Sequence, residues 1–366
     1  MNPALLPKSL CRLAARRPVR ILLALVAAVG VVSALALASE ALIEARGRRL
    51  TPPPGALVRV GGHRLHLLCR GEGEPTVVLE AGMDSASFQW GWVQPEVARW
   101  TRVCAYDRSG YGWSEAGPGP HSAAARADEL GALLDAAHIE GPVVLAAHSY
   151  GGLVARAFAA RSPGRVAGLV LIDSSHPSQF DGQGCQPACL SAEWREVADR
   201  FQHLAPVLAR TGLLRLGLGD RFGLFDWVKT LPASDARAIR ERALAAGHWA
   251  AGAAEWSTFR QSAREARALD SLGDKPLVVV TAGSTYRGPE ARRYLPAGSD
   301  GTAEAAAWAA LQRDQLTLST HASQVVVEEA SHVSLVTRPD FARTVAEAIR
   351  GVVREARRRA AAGSQG

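Results

Sequence analysis

Residues 143–156 read Val143-Val144-Leu145-Ala146-Ala147-His148-Ser149-Tyr150-Gly151-Gly152-Leu153-Val154-Ala155-Arg156. The apolar, β-branched start predicts a buried strand, and the run from Leu153 onward predicts a helix. Between them lies a turn only a few residues long. Small residues at 147, 151 and 152 let strand and helix approach closely. Such a turn forces its serine into a strained backbone conformation with the hydroxyl projecting above the sheet. The helix N-terminus behind it favours developing negative charge. A nucleophilic serine fits this context; a serine that merely caps a helix is the plainer reading of the same letters.

Working outward, short apolar runs occur at 57–60, 64–68, 76–80, 102–105, 167–172, 276–281 and 324–328. With 143–147 they make eight. Gly61-Gly62-His63 between the first two is a hairpin signal. The later runs are continuously apolar, as expected for strands covered on both faces of a mostly parallel sheet. Helices are expected at 122–137, 150–161, 304–319 and 339–353. A hairpin followed by strand–helix repeats predicts an α/β fold: a doubly wound, mostly parallel eight-stranded sheet. Residues 176–270 break the rhythm with Trp194, Phe201, Trp227, Trp249, Trp256 and Phe259 among helix formers. They are expected to form a helical cap inserted between core segments 56–175 and 271–353.

These features resemble the α/β-hydrolase fold family over residues 56–350, although the family's G-x-S-x-G pattern here begins with Ala147. Residues 76–83, Thr-Val-Val-Leu-Glu-Ala-Gly-Met, look like the family's third strand and oxyanion loop, with Ala81-Gly82 where His-Gly is usual. Asp107-Arg108-Ser109-Gly110-Tyr111-Gly112-Trp113-Ser114 looks like its D-x-x-G-x-G-x-S loop. That loop is expected to build a turn, with a substrate-facing Arg108 or Tyr111 as the alternative. The resemblance makes Ser149 the nucleophile and places oxyanion donors at the backbone N–H groups of Met83 and Tyr150.

A histidine after the last strand serves as general base in this family, and His332 has that context. His148 adjoins the nucleophile, but the turn points its side chain away from the hydroxyl. His321 precedes the last strand, at the wrong end. The acid usually follows the seventh strand, yet residues 282–289 hold no carboxylate. Some members carry it at the end of the sixth strand, where this chain has Asp173, which is the expected acid. Asp300 is the alternative.

Net charge is +7 over 366 residues. The basic segment 1–20 and the basic tail 351–366 hold nine of the 42 basic residues and one of the 35 acids. Residues 21–350 thus carry 33 basic against 34 acidic groups. With no net basic field on the body, a nucleic-acid partner is not expected. Residues 21–39 carry no charge and, as a helix, would span about 28 Å, close to a bilayer core. A membrane anchor is expected there. A cleaved signal peptide, with 36–38 (Ala-Leu-Ala) as its site and a secreted product, competes, as does a buried core helix. Five basic residues precede the run against Arg46, Arg48 and Arg49 after it, which favours an extracytoplasmic body. Residues 40–55, ending in Thr51-Pro52-Pro53-Pro54-Gly55, are expected to be a linker, and 354–366 a basic tail.

Of five cysteines, Cys185 and Cys189 could close a small loop. Cys69 and Cys104, in apolar runs, are expected to be buried and free. Neither metal nor organic cofactor is implied. A serine rather than an aspartate at the elbow disfavours epoxide hydrolysis and dehalogenation. The expectation is a carboxylic-ester hydrolase acting on a small, apolar acyl substrate. Acyl transfer or peptide cleavage is the alternative on the same scaffold, and a non-catalytic binding protein the alternative of another class.

Overall fold

A computed structural model describes residues 8–180, 192–221, 225–233, 236–287, 295 and 298–363. Eight strands form one sheet: β1 (Ala56–Val60), β2 (His63–Arg70), β3 (Val77–Glu80), β4 (Val103–Tyr106), β5 (Val143–His148), β6 (Val166–Ile172), β7 (Leu277–Ala282) and β8 (Ala322–Val327). Their order is β1-β2-β4-β3-β5-β6-β7-β8. β1 and β2 pair antiparallel, as do β2 and β4; from β4 to β8 all pairs are parallel.

The helices are α1 (Lys8–Leu50), α2 (Val93–Val97), α3 (Ala123–Ala136), α4 (Gly151–Arg161), α5 (Ala192–Arg210), α6 (Gly219–Arg221), α7 (Ala236–Ala243), α8 (Ala246–Ser257), α9 (Phe259–Ala266), α10 (Thr302–Asp314), α11 (Ser334–Thr337) and α12 (Pro339–Gly363). Both sheet faces are covered. Val78, Leu145 and Leu169 pack with α3 and α4 side chains such as Leu130, Leu153 and Phe158. Val77, Leu79, Val144 and Val170 pack on the other face with Val345, Ile349 and Val352 of α12. Side chains alternate between faces along a strand. Burial on both faces is therefore why the central strands read as unbroken apolar runs.

No strand occurs among the described residues between β6 and β7. Helices α5 and α8 lie on the loops that follow β3 and β4. Gln202 of α5 bonds Asp84, and His248 and Glu255 of α8 bond Asp84 and Arg108. The cap has its own small core, in which Trp249 packs edge-on against Phe201 and Phe225.

Three expectations are corrected. Residues 40–50 are helical, not linker, because α1 runs to Leu50. The segment is rich in helix-forming Ala, Glu and Arg, and buried Glu40 pairs with cap residue Arg215 at 2.7 Å. The basic residues after 353 are not a loose tail. They ride on α12, whose Ala356 is buried, while Arg357 donates to the carbonyl of Glu74 and Arg359 pairs with Asp274. Cys69 and Cys104 are not free but form a disulfide. The two are direct partners across the antiparallel β2–β4 ladder, a pairing that their 35-residue separation conceals. Cys185 and Cys189 lie outside the described residues.

Candidate active site

Strand β5 delivers Ser149 at the carboxyl rim of the parallel strands, where α/β sheets place their sites. Its backbone lies in the left-handed region, φ 54°, which is rare for a residue with a Cβ. The turn needs the glycines that come after it. A Cβ on Gly151 would sit 2.6 Å from the Ala81 carbonyl oxygen, and one on Gly152 1.6 Å from Ser174 Oγ. No L side chain fits either place without moving backbone or neighbour. The strain at Ser149 costs about 1–3 kcal/mol and is held by this packing.

The loop after β8 brings His332 to the hydroxyl, with Nε2 2.8 Å from Ser149 Oγ. His332 Nδ1 is 2.7 Å from Asp173 Oδ2. Asp173 directly follows β6, is wholly buried and has φ 39°. Its carboxylate also accepts from the Ala282 N–H at 3.1 Å, the Thr285 hydroxyl at 3.1 Å and the Trp308 indole N–H at 2.8 Å. Burial alone would push this carboxyl up, but bonds from His332, Trp308 and Ala282 hold it below the ordinary aspartate value. A buried carboxylate with this many donors stays ionised beside an imidazole. The alternative acid, Asp300, is exposed and accepts from the Thr302 N–H at the start of α10.

The β3 loop passes directly beside Ser149. A Cβ on Gly82 would lie 3.2 Å from Ser149 Cβ and 3.1 Å from His148 Nδ1. Met83 comes next in that loop, half-buried, and Tyr150 N-caps α4. The Tyr150 side chain turns away, its hydroxyl reaching the His121 carbonyl and Ser262.

Arg108 does not face a substrate site; it is buried at the root of this loop. Its guanidinium pairs with Glu80 and Glu255 and donates to the carbonyls of Ala81 and Gly82. Tyr111 donates to Glu255 and accepts from the Asp84 N–H. Arg126 completes the cluster from α3. The D-x-x-G-x-G-x-S segment therefore ties the loop after β3, helix α3 and the cap together.

Two supporting residues were not legible in sequence. Trp308 bonds Asp173 from α10, over 130 residues away in the chain. His148 packs at a tilt against His332, ring centroids 4.6 Å apart, and bonds the His332 carbonyl at 2.9 Å. Burial, then the neighbouring His332, pushes His148 down to about 3, so it is neutral and its Nε2–H is the donor. Its place next to Ser149 was visible, its contact with the loop carrying His332 was not.

The family model for the alpha/beta hydrolase fold matches residues 74–339, and the chain belongs to that family. Among curated relatives, a 2-hydroxy-6-oxo-2,4-heptadienoate hydrolase of Pseudomonas putida is 35% identical over 121 residues, 32% of this chain and 44% of that protein. An AB hydrolase superfamily protein of Gibberella zeae is 33% identical over 106 residues, 28% of this chain and 33% of that one. The chain spans less than half the length of these relatives. Among solved structures, a thermophilic esterase of Thermogutta terrifontis superposes with a TM-score of 0.57 at 22% identity, covering 82% of this chain and 98% of that one. A membrane phospholipase A superposes at 0.53 with 21% identity, over 92% and 99%. At these identities the likeness is one of fold.

Proposed function

We propose that this hydrolase cleaves carboxylic esters through an acyl-enzyme on Ser149. The observation that carries the reading is the chain of contacts Ser149 Oγ–His332 Nε2–Asp173, at 2.8 and 2.7 Å. Ser149 Oγ attacks the ester carbonyl while His332 Nε2 takes its proton. Asp173 holds the Nδ1–H tautomer and stabilises the imidazolium. The negative charge on the carbonyl oxygen is met by the N–H groups of Met83 and Tyr150, each worth about 3–4 kcal/mol in a comparable hydrolase. The intermediate collapses, the C–O bond breaks, and His332 returns its proton to the departing alcohol. Water, deprotonated by the same imidazole, then hydrolyses the acyl-serine.

Half-buried Met83, Phe180 and Trp256 lie against the core beside the elbow, which supports an apolar acyl group. Phe180 packs edge-on to both Trp256 and Phe259. Phe201 and Phe225 pack on Trp249 within the cap, and Trp227 stacks on Phe88.

The helix over Ile21–Leu50 is long and apolar enough to cross a membrane, and its apolar window is wholly uncovered. We read it as a membrane anchor with the body on the extracytoplasmic side. The basic N-terminal flank supports this, and so does the Cys69–Cys104 disulfide, since disulfides persist in oxidising compartments.

Turnover of p-nitrophenyl esters of increasing chain length tests the chemistry: Ser149→Ala must lose activity without losing its melting transition. Protease added to intact spheroplasts tests the topology, because an extracytoplasmic body is digested and a cytoplasmic one is protected.

A further inference from the structure

The N-terminal helix does not simply tether the body; its last turns are docked on the cap. Ala36 and Glu44 are half-covered, and Glu40 and Gly47 are buried, a spacing that lines one face of α1. Arg215 donates to Glu40 at 2.7 Å and also to Glu241 at 2.7 Å. Gly212 lies against the same carboxylate, where a Cβ would be 3.3 Å from Glu40 Oε2. A Cβ on Gly47 would meet the Arg242 guanidinium at 3.3 Å. From Ile21 to Leu35 the helix is bare, with Val29, Val32 and Leu35 each about two-thirds exposed.

This contact fixes where the cap lies along the helix. Glu40 is the first charged residue after the run 21–39, so it marks the edge of the apolar span. Its partner Arg215 is followed by Leu216, 82% exposed, and preceded by exposed Leu213. Leu204 and Val207 of α5 are also exposed, at 52% and 55%. Four large aliphatic side chains thus stand uncovered along residues 204–216, the cap segment whose Arg215 grips the membrane helix where it leaves its apolar segment. Exposed Arg210 lies among them in sequence, and Arg46, Arg48 and Arg49 come after Glu40 on α1. Aliphatic side chains set among arginines suit the acyl–headgroup boundary of a bilayer.

We propose that this cap surface, Leu204, Val207, Leu213 and Leu216, is seated in the lipid interface, so that the cap rests on the membrane rather than hanging free of it. The proposal rests on reading α1 as a membrane anchor. Its occupant is the bilayer itself, because the Glu40–Arg215 pair brings the patch to the level where lipid begins.

The test uses the full chain in phosphatidylcholine vesicles carrying a trace of radiolabelled phosphatidylcholine. A photoreactive p-benzoylphenylalanine replaces Leu216, Val29 or Val326 in separate preparations. Val326 is an exposed residue of β8, outside the cap. All three positions are exposed, so folding is not at stake. The expected result is lipid adduct at 216 and at 29, each about tenfold above 326, as for side chains immersed in the interface. Labelling at 29 with 216 no higher than 326 leaves the anchor standing and overturns the proposal. Labelling at neither 29 nor 216 overturns the anchor and the proposal with it. A protein–protein adduct at 216 in place of a lipid adduct assigns the patch to a second copy and also overturns it.

Discussion

The guanidinium of Arg108 holds the carbonyl oxygen of Gly82 at 2.9 Å. In a planar trans peptide the C=O of one residue and the N–H of the next point in opposite directions. This bond therefore turns the Met83 N–H away from Arg108. Arg108 also holds the Ala81 carbonyl at 2.6 Å and is itself fixed by buried Glu80 and Glu255. The motif expected to build a turn is in this way a device that sets the orientation of the Gly82–Met83 peptide in the loop after β3.

Arg108→Lys keeps the buried charge but loses the guanidinium fork that spans two carbonyls and two carboxylates. The expected outcome is a fall in kcat of about tenfold to a hundredfold with KM nearly constant, since a misaimed oxyanion donor costs transition-state binding. Steady-state kinetics and a thermal melt on the same sample check it. A lowered Tm with unchanged kcat would assign Arg108 to stability alone.

Asp173→Asn presents a neutral amide to the imidazole and favours the wrong tautomer, at a cost of about 10⁴ in kcat in a comparable triad. Asp300→Asn should be nearly silent, because Asp300 is exposed and an asparagine oxygen can accept the Thr302 N–H as the carboxylate does. Trp308→Phe removes one donor from Asp173 and is expected to lower kcat by about tenfold. The three variants are measured together; a dead Asp300→Asn with an active Asp173→Asn would move the acid to the loop after β7.

The contrast between these residues shows what the sequence carried. Ser149 and the sheet were legible because strand period, small residues and turn length are local properties. Asp173 was legible as the carboxylate at a strand end where residues 282–289 offered none. Trp308, Thr285 and the His148–His332 contact were not, since each depends on which loops the crossover order brings together. The Cys69–Cys104 bond was hidden for the same reason: antiparallel pairing of β2 with β4 is a fact of topology, invisible in two separate apolar runs.

Asp84, next to Met83, supplies a pH dependence. Gln202 donates to one oxygen at 2.7 Å, and a Cβ on Gly252 would lie 1.7 Å from the other. Burial pushes this carboxyl up to about 6, while the unfolded chain titrates near 3.9. The folded state thus keeps its proton between roughly pH 4 and 6 when the unfolded chain has lost it. The stability this supplies is complete below about pH 4 and lost as pH rises through 6. Tm of the parent is expected to fall relative to Asp84→Asn between pH 4 and 7. Parallel Tm curves across that range would contradict it.

Reduction of Cys69–Cys104 frees a 35-residue separation in the unfolded chain. The loop-entropy relation puts that at about 3–4 kcal/mol. A lower unfolding midpoint in reductant, reproduced by Cys69→Ala/Cys104→Ala without reductant, is the expected outcome. Equal midpoints with and without reductant would contradict it.

The central claim is that His332 and Asp173 make Ser149 a nucleophile. A biotinylated fluorophosphonate, with mass spectrometry of the peptide carrying residue 149, tests it most directly. The expected result is one adduct, on Ser149, in the folded parent, none in Ser149→Ala, and labelling slowed at least about a hundredfold in His332→Ala. A folded parent that stays unlabelled, or one labelled on another residue, would contradict it.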